Sequence, residues 1–303
     1  MPLQLELRHY ETIVAIVDLG TMTAAARYLS TTQSALSHRL AEAEKRLGTT
    51  LFERGSQRRL KPTRAGLVIH QTASRALADL ERCEATLLTE RRGVLSTVRL
   101  AVGSYDCYHW YPSFLHAARL RHPDIELELV AGDDSPGTAL ARGVVDLVVA
   151  PGTPDGQLAL RPLFEDELVL IVAPNHSLAG REWIEPSDLS SETYLTYNLS
   201  PNPGFEYERF VRPADIYPQI VTVVQQTSAI TELVAAGLGV SILSRWALEP
   251  AIAAGRVVPL RCGAAGLPLT WHAALRVADD GNNDSAVRRI QDLLGEHLAS
   301  LSS

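Results

Sequence analysis

Two stretches of this 303-residue chain hold side chains whose types and spacing suit recognition chemistry. The first runs from Thr32 to Lys61. Gln33, Ser34, Ser37 and His38 open an apolar-periodic segment, and Arg39 and Lys45 extend it with positive charge. Small hydroxyl and amide groups in the first turns of a helix can reach base edges in a major groove, while the helix N–H groups that follow Thr32 meet phosphate. Arg54, Arg58, Arg59 and Lys61 then place four cations within eight residues at a polar turn, the chemistry that phosphate oxygens attract.

The second stretch is Gly103–Ser104–Tyr105–Asp106–Cys107–Tyr108–His109–Trp110, which combines hydroxyls, a carboxylate, an imidazole and aromatic rings. Thr196 and Gln226–Thr227–Ser228 are polar groups at corresponding points further along. At strand ends and helix starts, Ser104, Tyr105, Asp106, His109, Trp110, Thr196, Gln226, Thr227 and Ser228 can converge on a small zwitterion. The N–H groups of a helix start would then hold its carboxylate. Plainer roles stay open: Ser104, Thr227 and Ser228 as helix caps, Tyr108, Trp110 and Tyr111 as core, and Cys107 as a small buried residue.

Catalytic patterns are missing. The sequence has no GxSxG elbow, phosphate-binding Walker loop, GxGxxG after a strand or HExxH, and its nine histidines lack metal spacing. Three cysteines, Cys83, Cys107 and Cys262, are too far apart for a zinc pattern and odd in number for a disulfide framework. The expectation is therefore a binding protein, not an enzyme, with no cofactor or metal and one small-molecule effector. No apolar signal core follows Met1 and no run reaches membrane-spanning length, so a cytoplasmic protein without a membrane partner is expected.

The elements that would position these groups follow from periodicity. Leu7, Tyr10, Ile13, Val14 and Val17 predict one helix, ended by Gly20, and Thr21 or Thr23 can cap a short Ala-rich second one. In a third helix ended by Gly48, Leu36, Leu40, Ala43 and Leu47 fall within about 60° of one another at 100° per residue, leaving Ser34, His38, Ala41 and Lys45 outward. Two short strands near 50–53 and 59–62 would carry the basic turn. Residues 66–92 predict a long amphipathic helix suited to pairing with a copy of itself.

From Ser96 the pattern changes to short apolar strands alternating with helices, which predicts an α/β body with mostly parallel sheets. The alternation occurs twice and predicts two Rossmann-like lobes flanking a cleft: 93–166 with 268–303, and 167–267. Charge divides at the same place. Residues 1–92 hold 14 Lys and Arg against 10 Asp and Glu, a balance of +4, while the other 211 hold 14 against 25, a balance of −11. A basic head on an acidic body is expected if only the head meets phosphates.

The stretch from Leu7 to Gly66 resembles the DNA-binding head of LysR-type transcriptional regulators. The matching residues are Ala24–Ala25–Ala26, Leu29, Gln33–Ser34–Ala35–Leu36–Ser37, Leu47–Gly48, Leu51–Phe52, Arg54, Thr63 and Gly66. Within that family, QSALSH and FERGSQ are most similar to the MetR type, regulators of methionine biosynthesis. The resemblance implies a winged helix-turn-helix (1–65), a dimerising linker helix (66–92) and a periplasmic-binding-protein-like effector domain (93–303). It further implies a homodimer or homotetramer on an inverted-repeat operator in double-stranded DNA, contact with RNA polymerase, and homocysteine as effector. A regulator of another pathway answering to a different small carboxylate is the alternative, and a two-lobed solute-binding protein or enzyme a more distant one. Ser34 stands where the family more usually has proline and His38 where it has arginine, so base preference does not transfer.

Overall fold

The computed structural model describes residues 3–54, 60–89, 96–130, 136–152, 158–197, 205–277 and 285–301; Arg58 and Arg59 lie outside them. Two compact units result: Met1–Leu95 with Ala141–Val144, and Ser96–Leu140 with Val145–Ser303.

In the first unit, α1 (Leu7–Leu19) is closed by Gly20, whose φ of 70° lets its N–H reach the Ile16 carbonyl. The Thr21 hydroxyl accepts from Ala24 N–H to start α2 (Met22–Tyr28), and Thr32 accepts from Ala35 N–H to start α3 (Gln33–Leu47), both at 3.2 Å. Leu36, Leu40 and Ala43 of α3 pack with Ile13, Ile16, Ala25 and Ala26. The apolar stripe expected on α1 is rotated: Leu7 is exposed, while His9 and Thr12 are buried. The Thr12 hydroxyl donates to the Arg8 carbonyl and Glu6 N–H donates to His9 Nδ1, while His9 Nε2 lies 3.3 Å from the Glu42 carboxylate.

Antiparallel β1 (Phe52–Arg54) and β2 (Leu60–Pro62) form the wing, Phe52 facing Pro62 and Arg54 facing Leu60. The Glu44 carboxylate of α3 accepts from Leu51 and Phe52 N–H at 2.7 and 3.3 Å, which ties the wing to that helix. Next, α4 (Arg64–Thr89) spans about 39 Å at 1.5 Å per residue. Gly66 is required at its start because a Cβ there would come within 2.3 Å of the Leu51 carbonyl oxygen.

The second unit begins with β3 (Ser96–Val102), α5 (Tyr111–Arg121), β4 (Ile125–Leu129), α6 (Pro136–Ala141), β5 (Leu147–Pro151) and β6 (Leu158–Val172). It continues through β7 (Trp183–Ile184), β8 (Thr193–Thr196), a π-helical turn at Tyr207–Val211, α7 (Arg212–Ala214), β9 (Ile220–Val223) and α8 (Thr227–Ala235). Last come β10 (Ser241–Ser244), α9 (Glu249–Ala253), β11 (Val258–Cys262), β12 (Leu267–Arg276) and α10 (Ala286–Leu301).

These elements build two Rossmann-like lobes on a sheet of order β4-β3-β5-β12-β6-β11-β7, with β10 also on β6 and with β8 and β9 paired apart. The sheet is mixed instead of mostly parallel. Strands β4, β3 and β5 run parallel, but β12 is antiparallel to β5 and β6, and β10 and β11 are antiparallel to β6. The crossovers explain this: β6 carries the chain out of the first lobe and β12 brings it back, so their directions must oppose. The expected break at 166/167 therefore falls inside one continuous strand. Along β6, Val169 and Ile171 enter one apolar cluster while Leu168, Leu170 and Val172 enter another, the period of two expected of a strand buried on both faces.

Candidate functional site

On α3, Gln33, Ser34, Ser37, His38 and Lys45 are exposed and Arg39 is half-buried. Thr32 is exposed but its hydroxyl is engaged as the cap. Gln33 accepts a long 3.5 Å hydrogen bond from the Thr23 hydroxyl, which orients the amide outward from the junction of α2 and α3. The acidic residues of α3 are used inward. Glu44 holds the wing, and Glu42 lies 3.3 Å from His9 Nε2 and accepts from Arg46 at 2.5 Å. Hydrogen bonds from His9 and then Arg46 hold the Glu42 carboxyl below its usual range. Arg46 also binds Glu6 and the Gln4 carbonyl, so this cation is committed to the head itself. What remains outward is a face of amide, hydroxyl, imidazole and ammonium, continued by exposed Lys61 on β2. Such a face can donate to base edges and phosphates without a fixed carboxylate at its centre.

In the body, the 103–110 loop leaves β3 through Ser104, which is exposed and has φ of 67°. Asp106 reaches α8: its carboxylate accepts from Thr227 N–H at 2.6 Å and from the Ser228 hydroxyl at 3.1 Å, and its own N–H donates to Thr227 Oγ1 at 3.3 Å. Burial pushes the Asp106 carboxyl up, but these hydrogen bonds outweigh it and leave the group below its ordinary value. The start of α8 is thus capped by a carboxylate from 121 residues away, and Gln226, exposed at the cap position, makes no side-chain bond to the helix. Tyr197, just past β8, bonds Thr227 Oγ1 through its hydroxyl.

Asp106, His109, Thr227 and Ser228 line one concavity of about 380 Å³, with Tyr108 and Arg256. The remaining candidates sit elsewhere. Tyr105 is 5% exposed beneath the loop, its hydroxyl accepting from Ser244 N–H and its ring 5.8 Å from Tyr197. Trp110 is 1% exposed and its indole N–H donates to the Cys107 carbonyl. Thr196 is half-buried on β8. His109 packs on Trp246 at 5.0 Å, and burial lowers its pKa. Burial also pushes the Cys107 thiol up to about 12, which leaves it a packing residue without thiolate chemistry.

Sequence reasoning passed over Tyr197, Asp166 and Glu206. Tyr197 carried a visible signal as the last residue of TYLTY, at a strand's C-terminal end. Asp166 accepts from the Ser244 hydroxyl (2.5 Å), Trp246 N–H and Trp271 Nε1–H, and so clasps β6, β10 and β12. Nothing local in the sequence brings those donors together.

A basic-winged helix-turn-helix followed by a two-lobed α/β body defines a class of ligand-linked transcription regulators. Residues 7–67 match the bacterial regulatory helix-turn-helix proteins of the lysR family, and residues 91–299 match the LysR substrate binding domain. The chain belongs to the LysR family of transcription regulators, which bind DNA and are not enzymes. It is similar to the transcriptional regulator MetR of Salmonella typhimurium, with 33% identity over 99% of this chain and 94% of that one. The regulatory domain of MetR from N. meningitidis is 28% identical with a TM-score of 0.55, over 67% of this chain and 94% of that domain. Full-length CbnR complexed with its target DNA has the same fold, with a TM-score of 0.60 at 21% identity over 98% and 99% of the two chains. Among the described residues no helix is long and apolar enough to cross a membrane, and no His, Cys, Asp and Glu cluster could hold a metal ion.

Proposed function

We propose that this chain controls methionine and sulfur amino-acid metabolism in the cytoplasm, with homocysteine as co-effector. Similarity to MetR regulators across both head and body carries this reading. In it, Gln33, Ser34, Ser37, His38, Arg39 and Lys45 read the major groove from the helix that Thr32 starts, and Arg54, Arg58, Arg59 and Lys61 meet phosphate. The α4 helix pairs with a second copy, so that two heads face an inverted repeat as a dimer or tetramer. The body takes the effector among the 103–110 loop, Thr196 and the start of α8. Effector binding shifts the relation of the two lobes, and then DNA bend or contact with RNA polymerase, provided that affinity differs between the two arrangements.

Footprinting on the DNA upstream of methionine-biosynthetic genes, with and without L-homocysteine, tests this. A protected inverted repeat whose pattern changes with homocysteine is expected. Protection that homocysteine leaves untouched would remove the co-effector, and no protection would remove the pathway.

A further inference from the structure

Among the described residues of the body, the other inward-facing carboxylates named below have charged or multiple donors. Asp146 accepts from Arg99 N–H and Nε, Asp166 from three groups, Asp106 from the start of α8, and Asp124 from Arg289. Glu206 is the exception. It stands half-buried at the head of the Tyr207–Val211 turn, and its one side-chain donor is the Tyr194 hydroxyl at 3.3 Å. Among the described residues no cation pairs with it. Burial pushes its carboxyl above the ordinary range; burial also raises Tyr105, Tyr194 and Tyr197, and the Glu206 charge adds to that. A carboxylate withdrawn from water without a cation is costly, and a ligand ammonium would offset that cost.

Its position fits a ligand. The neighbouring Phe205 ring packs on Gly152, where a Cβ would be only 3.4 Å away, directly after β5. Glu206 is therefore held where the C-terminal end of a first-lobe strand meets the second lobe, the crevice that open α/β sheets use for ligands. At the start of α8, the Asp106 carboxylate is already committed to Thr227 N–H and the Ser228 hydroxyl, so it is not free to receive a ligand ammonium there.

We infer that Glu206 receives the ammonium group of a small amino-acid effector, beside the Tyr194 hydroxyl. The inference rests on the effector-binding reading above and makes the ligand an amino acid rather than a plain carboxylate.

Titration calorimetry on the full-length protein with L-homocysteine and with 4-mercaptobutanoate, the same molecule without its amino group, tests it. Wild type should bind the amino acid at least about tenfold more tightly, and Glu206→Gln should lose about the same factor. Glu206→Asp keeps the charge and should retain most of the affinity. Equal affinity for the two ligands, or unchanged homocysteine binding by Glu206→Gln, would overturn the role of Glu206 and leave homocysteine as effector. Should the Gln variant not fold, the two-ligand comparison on wild type decides alone. If homocysteine gives no heat, the twenty standard L-amino acids are titrated, each against its N-acetyl form. One that binds wild type and is lost on acetylation and on Glu206→Gln would replace homocysteine and support Glu206. Binding by plain carboxylates alone, or by nothing, would overturn both.

Discussion

The head and the body treat their polar groups in opposite ways. On α3 the carboxylates of Glu42 and Glu44 are turned to internal partners, leaving Gln33, Ser34, Ser37 and His38 exposed. In the body, Asp106, Thr227, Ser228 and Tyr197 are bonded to one another. A surface that must meet a rigid, fully hydrated polyanion can be left unsatisfied, because water serves it until DNA arrives. A site that answers to a small solute needs two arrangements, and internal hydrogen bonds define one of them. The difference is testable because substitutions on the two sides should trade stability against binding in opposite proportions.

The largest effect is expected where the head's scaffold has no slack. Gly66→Ala drives a Cβ into the Leu51 carbonyl and should destabilise the head by about 2–3 kcal/mol, read as a lower urea midpoint. Stability within error of wild type would mean that the wing and α4 are not held as described.

Gln33→Ala should leave the midpoint in place yet cost about 1–3 kcal/mol of discrimination at one base pair, measured by competition among operator variants. An equal loss on random DNA would assign Gln33 to the backbone instead.

Asp106→Ala should do the reverse, costing about 1 kcal/mol of stability with operator binding retained. Its pH dependence has a definite sign. The folded-state pKa is depressed, so its stabilisation is present above the ordinary carboxylate value and is lost as pH falls through the folded value. The gap between wild type and variant should therefore be full at neutral pH and close in acid; a constant gap would mean that the carboxylate charge plays no part.

The smallest effect is expected from Lys61→Ala, which should flatten the dependence of log affinity on log salt by about one unit. An unchanged slope would place Lys61 off the phosphate backbone.

What the sequence made legible was local. The caps Thr21 and Thr32, the stops Gly20 and Gly48 and the Leu36–Leu40–Ala43 stripe depend on residues within one or two turns, and the helices they mark formed as expected. The mixed sheet was not legible, because β6 and β12 pair across about a hundred residues. Prolines obscured it further. Pro162 sits beside the register shift at Trp271/His272, and Pro259 lies within β11, positions where proline argues against a strand. In the candidate effector region the types and locations were readable but their roles were not. Asp106 caps α8, and Tyr105 and Trp110 are buried beneath the loop, through contacts that no spacing within the loop encodes.

In the proposed function the outer face of α3 is held free for DNA. Joint replacement of Gln33, Ser34, Ser37 and His38 by alanine, with urea midpoint and operator affinity measured on the same preparation, tests it most directly. The account predicts a midpoint within about 0.5 kcal/mol of wild type and operator binding reduced to that on random DNA. Retained operator preference, or binding lost only because the head unfolds, would contradict it.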